Sequence, residues 1–117
     1  MTIYVEVNNT RYPAVITGRL KDKDWNDRSS KAITLEMTHE EASSIFVDDV
    51  DWSIIEEMET QVENSDGLVE TTTDVIVYDN SEYSMTGDII DHRNGTITVK
   101  MGKPTAEEIL SILIGEV

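Results

Sequence analysis

One pattern is written twice in this chain, and it limits the fold more than any other feature. Near the C-terminus Thr86-Gly87 is followed by Asn94-Gly95, by Ile97, Val99 and Met101 at alternate positions, and by Thr105 three residues before Glu108. Earlier, Thr17-Gly18 is followed by Ile33, Leu35 and Met37 at alternate positions and then by Thr38 three residues before Glu41. Alternation of this kind puts the apolar residues on one face of a strand. The Thr-x-x-Glu spacing is a capping box, in which the Thr hydroxyl takes the amide of the third helical residue and the Glu reaches back to the cap amide. Behind each box an apolar stripe runs at i, i+3, i+4: Ala42, Ile45 and Phe46 in the first, Ile109, Ile112 and Leu113 in the second, with Ile114 extending it. The ordered series predicts a duplicated βββα unit, over about residues 2–47 and again over about 74–117, with an acidic hairpin or linker at about 48–73 between them. The expected fold class is α+β: one domain over residues 1–117, a mainly antiparallel sheet and two short helices packed on it.

The rest of the chain fits strands joined by turns. Thr2 to Val7 alternates, with Ile3, Val5 and Val7 on one face, and Asn8-Asn9-Thr10 carries turn chemistry because Asn tolerates left-handed backbone. A strand over Tyr12–Leu20 includes Pro13, which cannot donate to a ladder, so its N–H side must be open or the strand must start after it. The polar stretch Lys21–Ser30 reads as a loop. Its Asp22, Asp24 and Asn26 resemble the start of a calcium loop, but Asp27 stands where Gly is needed and Ile33 where a bidentate Glu should be. A solvated turn is the better reading. Trp25, in its middle, either folds back on the core or anchors a partner. Asn64-Ser65-Asp66-Gly67 is a strong turn signal, and Thr71-Thr72-Thr73 favours strand, so a long hairpin is expected from about Asp51 to Val62 and back from Leu68 to Tyr78. The nine acids from Asp48 through Glu70 leave its outer part little to bury, so it should project or be mobile. Asn94-Gly95 is the best type I′ hairpin signal.

Charge sorts the possible partners. The chain has 117 residues and a net charge of −15, and between Lys31 and Arg93 no Lys or Arg occurs while 17 of the 24 acids do. Such a field repels nucleic acid and anionic membranes and draws in basic partners. No apolar run reaches the length of a bilayer span, and no basic segment followed by an apolar one opens the chain, so no secretory signal is expected. A cytoplasmic or virion-associated location in a bacterial host is the expectation.

The residues for chemistry are scarce. There is no Cys, which excludes disulfides, thiolate catalysis and Cys-type zinc sites. His39 and His92 are the only imidazoles, and neither lies in a metal or nucleophile motif. Glu107 and Glu108 sit at a helix start, where the dipole stabilises acids. Asp88, Asp91 and His92 form the one constellation worth testing as a site. No catalytic residue, cofactor or metal is expected, and an enzyme is not the reading.

The run Asp79-Asn80-Ser81-Glu82-Tyr83-Ser84-Met85-Thr86-Gly87-Asp88-Ile89-Ile90-Asp91-His92-Arg93-Asn94-Gly95-Thr96, continued through Met101-Gly102-Lys103-Pro104-Thr105, resembles small uncharacterised proteins encoded in phages and prophages of Gram-positive, Firmicutes-type gut bacteria. Trp52-Ser53-Ile54-Ile55 and Trp25-Asn26-Asp27-Arg28 extend the likeness. It implies a setting and no mechanism. Two functions are then open. The first is a structural, assembly or protein-interaction module that docks on itself or on a virion component. The second is an acidic decoy for a basic, nucleic-acid-binding surface of a host protein, which requires the acids to line one face. In either, the contact residues expected are Trp25, Trp52, Glu56, Glu57, Glu59 and Asp66.

Overall fold

The computed structural model describes residues 2–113, with side chains to residue 110. Strands β1 (Thr2–Val7), β2 (Thr10–Asp22) and β3 (Arg28–Leu35) lead to helix α1 (His39–Ile45). Strands β4 (Trp52–Glu63), β5 (Val69–Asp79), β6 (Met85–Asp91) and β7 (Ile97–Gly102) follow, and helix α2 (Ala106–Leu113) comes last. A single 3₁₀ turn, Lys23–Trp25, joins β2 to β3. The strands form one sheet in the order β5-β4-β1-β2-β3-β7-β6, with every neighbouring pair antiparallel. The class is α+β, mostly sheet. Among the described residues no helix is long and apolar enough to cross a membrane.

Local chemistry sets the turns. Asn8 and Asn9 take φ of 52° and 64°, the doubly left-handed backbone of a type I′ turn, between the paired residues Val7 and Thr10. Asn94-Gly95 does lie in the β6–β7 hairpin, but the turn there is wider than the sequence suggests. Arg93 and Gly95, not Asn94, have positive φ (57° and 89°). Asn94 spends its side chain accepting from the Thr96 amide at 3.1 Å. Pro13 pairs with Tyr4 on its β1 side, and pairing with β3 begins only at Ala14, so the missing N–H disrupts no ladder.

One face of the sheet carries the main buried cluster, while Ile55, also fully buried, points to the other. Val7 lies opposite Trp52, Val5 opposite Ile54, Ile33 opposite both Ile16 and Val99, and Leu35 opposite both Ala14 and Ile97. The alternation of Ile33 and Leu35, and of Ile97, Val99 and Met101, thus becomes a continuous apolar layer, and these side chains are fully buried. Helix α1 rests on the β6–β7 end and adds Ala42 and Phe46 to that layer. Burying each large aliphatic side chain contributes about 1.5–3 kcal/mol, which makes this layer the main source of stability.

The connection from β5 to β6 shows that the sheet is curled. These strands lie at opposite edges, a separation of roughly 29 Å if six interstrand gaps were laid flat. Only Asn80–Ser84 join them, and six residue steps reach at most about 21 Å. The sheet therefore wraps around its core, and Tyr83 crosses the concave side with its ring 6.4 Å from that of Trp52.

The expected duplication is not seen in the pairing. β1, β2 and β3 are a continuous meander, whereas β5 pairs with β4 at one edge and β6 pairs with β7 at the other. The matched signals are local ones, and local turn and cap chemistry does not choose a strand's neighbour. In α2 the described member of the apolar stripe, Ile109, is about half exposed. The side chains of Ile112 and Leu113, and all of Ile114, lie outside the described residues.

Candidate interaction surface

The β4–β5 hairpin is an arm with a fixed root and a free tip. At the root Trp52 opens β4 and is buried, 1 % exposed, its indole Nε1 donating to the Tyr83 carbonyl at 3.0 Å. The Asn80 amide donates to the Trp52 carbonyl (2.9 Å), and the Trp52 amide donates to Ser81 Oγ (3.2 Å). Ser81 in turn donates to Asp79, and these hydrogen bonds hold the Asp79 carboxyl below its ordinary range. The chain thus leaves the core at Trp52 and is fastened back to it when β5 returns.

Beyond the root the ladder runs without a break from Ser53 opposite Asp79 to Glu63 opposite Val69. It closes through Gly67, whose φ of 81° needs a residue without Cβ, and Asn64 donates across the loop to the Leu68 carbonyl at 2.7 Å. The arm extends the molecule to 68 Å along an axis against 35 and 26 Å across it. The hairpin is the one that the Asn64–Gly67 turn predicts.

β5 is the unguarded edge. All eleven of its residues are exposed, including the apolar run Val75-Ile76-Val77-Tyr78. It contains no Pro, no Lys and no bulge, and its only charged residues are Glu70, Asp74 and Asp79, which repel another acidic strand but not a basic one. The opposite edge is protected. β6 is seven residues long, has a bulge between Thr86 and Ile89, and is approached by α1. The Thr86 amide donates to Asp48 Oδ1 at 2.8 Å and its hydroxyl to the Phe46 carbonyl at 3.1 Å.

The residues singled out in the sequence separate into three groups. Glu56, Glu57 and Glu59 line β4 of the arm, and Asp66 lies in its tip. Trp52 has no exposed surface to offer a partner, because the core and the Tyr83 carbonyl take its whole indole. Trp25 folds back: its ring fills the space beside Gly87 and Gly102, where a Cβ would come within 2.8 and 2.7 Å of it, and Arg28 stacks on it at 4.8 Å. The acids of the arm occupy both of its faces. Glu57, Glu59 and Glu63 point to one, while Glu56, opposite Ile76, and Asp74, opposite Met58, point to the other. On the arm, then, the acids do not gather on a single face.

Elsewhere the polar clusters are structural. Asp22, fully buried, caps the 3₁₀ turn through the Asp24 amide and accepts from Lys100 Nζ (2.7 Å) and Ser30 Oγ (2.9 Å). Lys100 first, and then Ser30 and the Asp24 amide, hold its carboxyl below the usual range against the opposing effect of burial. Asp91 accepts from the Arg93 amide (2.8 Å) and His92 meets Thr98 Oγ1 (2.8 Å), so both are engaged in the β6–β7 turn, while Asp88 is exposed in the bulge. Among the described residues no group of three or more His, Asp or Glu could hold a metal ion. Sequence reasoning missed Val75 and Val77 as surface residues. The sequence carried no signal for their exposure: four consecutive apolar residues read as a strand buried on both faces, the opposite of what β5 is.

Comparison with known proteins gives no match to any family model, curated protein or solved structure.

Proposed function

We propose that this chain is a non-enzymatic protein-interaction module of phage origin whose working element is the β4–β5 arm. The observation that carries the reading is strand β5, eleven exposed residues at a sheet edge with no Pro, Lys or bulge to block pairing and with acids as its only charged residues. A folded domain that keeps such an edge open risks aggregation unless a partner uses it. The buried root at Trp52 supports the same reading, since a rooted hairpin presents its edge in a defined direction. The phage setting rests on the resemblance of the Asp79–Thr96 run, and a virion or assembly component is the partner that setting suggests.

The test is co-purification of the full chain from phage-producing cells, together with light scattering on the purified protein, for wild type and for the V75K/V77K double variant. Both substituted positions are exposed, and circular dichroism of the variant checks that the fold is kept. A stoichiometric complex or discrete oligomer that the variant loses is the expected result. A monodisperse monomer with no stoichiometric partner, or a complex the variant leaves intact, overturns the proposal.

A further inference from the structure

The open edge also specifies what can occupy it. A strand added to β5 receives main-chain hydrogen bonds from it and sets its own side chains about 5 Å from those of β5. On one face of β5 stand Val69, Thr71, Thr73, Val75 and Val77, with Asp79 at its root; on the other stand Glu70, Thr72, Asp74, Ile76 and Tyr78. The neighbouring strand adds Glu56, Glu57, Glu59 and Glu63, and no Lys or Arg occurs anywhere from residue 32 to residue 92.

We infer that β5 takes an extended cationic segment of another protein as an eighth, antiparallel strand, with Lys or Arg opposite Glu70 and Asp74 and β-branched apolar residues opposite Val75 and Val77. A second copy of this chain is the worse occupant. Each copy carries a charge of −15, and pairing two arms edge to edge gathers their acids with no cation between them. Charge therefore selects a basic partner over self-pairing, while the backbone edge, not a charged face, supplies the docking geometry. The inference rests on the arm being the interaction element and adds the chemical class of its partner.

The probe is a labelled nine-residue peptide alternating Lys with Val, titrated into the full-length protein by fluorescence anisotropy. Its control is the same peptide N-methylated at alternate residues, which keeps every charge and side chain and removes one row of main-chain donors. Losing several net hydrogen bonds should weaken binding at least about tenfold. Binding of the unmodified peptide should also weaken as salt rises, and hydrogen exchange should slow in β5 and not in β6. V75K/V77K should lose the peptide while retaining the wild-type circular dichroism. Equal binding of the methylated peptide, protection appearing away from β5, or dimerisation through β5 that strengthens with salt would each overturn the inference. Should the peptide arms fail while V75K/V77K still abolishes the co-purified complex, only the partner class is wrong and the interaction reading stands.

Discussion

Arg28 and Glu108, eighty residues apart in sequence, form a two-pronged ion pair: Nη1 lies 2.7 Å from Oε1 and Nη2 3.3 Å from Oε2. The guanidinium is buried, and it also donates to the Trp25 and Lys103 carbonyls at 3.1 Å each. Glu108 meanwhile completes the second capping box, accepting from the Thr105 amide at 2.8 Å while its own amide donates to Thr105 Oγ1 at 3.3 Å. One carboxylate thus both starts α2 and ties it to β3.

That pair makes α2 docking dependent on pH. Arg28, and then the Thr105 amide, draw the Glu108 carboxyl down to about 2 from an ordinary 4.5. A depressed folded-state pKa contributes stability that is complete above the unfolded value and lost as pH falls toward the folded one. The contribution should therefore be intact above about pH 5 and gone near pH 2. Acidification also relieves the self-repulsion of a −15 chain, so the total curve mixes opposing slopes. Comparison with Glu108→Gln isolates the pair: in urea unfolding the wild-type advantage should be largest near pH 6 and shrink steadily toward pH 2.5. A constant gap would show that the pair is not the cause.

Gly102→Ala should dislodge Trp25. The new Cβ would sit 2.7 Å from the Trp25 ring and 2.8 Å from Arg28 Cδ, and both neighbours are held by other contacts. Overpacking of this kind costs about 1–3 kcal/mol. Gly18→Ala is the control, because its Cβ would meet nothing within 4 Å. The expected readout is a red-shifted Trp emission and a lower melting temperature for the first variant and neither for the second.

Trp52→Phe should weaken the root of the arm. The substitution leaves a gap in the core and deprives the Tyr83 carbonyl of its 3.0 Å donor. Together these effects cost about 2–4 kcal/mol. Hydrogen exchange should quicken first at Asn80 and Tyr83, whose amides are engaged at 2.9 Å in the same junction.

Residue order shows what was legible in this chain and what was not. Ile33, Leu35, Ile97, Val99 and Met101 announce their buried face by alternation, and the cap hydroxyls of Thr38 and Thr105 accept from Glu41 and Glu108 as the spacing requires. The first box is half made, since Thr38 bonds the Glu41 carboxylate itself and that carboxylate does not return to the cap amide. Strand neighbours were not legible. Alternation tells a strand which face to bury but not which strand lies beside it, so β5 and β6 read as consecutive in a meander and fold to opposite edges. Thr17-Gly18 and Thr86-Gly87 look equivalent for the same reason. Gly18 has open space around it, whereas Gly87 makes room for Trp25.

The tip of the arm should be dispensable for folding. Replacing Glu59–Thr73 with Asn-Gly would join Met58 to Asp74, which already face one another across the ladder, through a two-residue turn suited to them. The deleted strand residues are exposed throughout, and none belongs to the buried cluster. Their loss uncovers none of the buried cluster, so the deletion should be tolerated, while removal of Glu59, Glu63, Asp66 and Glu70 lessens self-repulsion. The melting temperature should hold or rise slightly, and small-angle scattering should show the long axis shortened by roughly 20 Å. A steep loss of stability would mean that the outer ladder supports the core, and the arm could then no longer be treated as a projecting element free to pair with another chain.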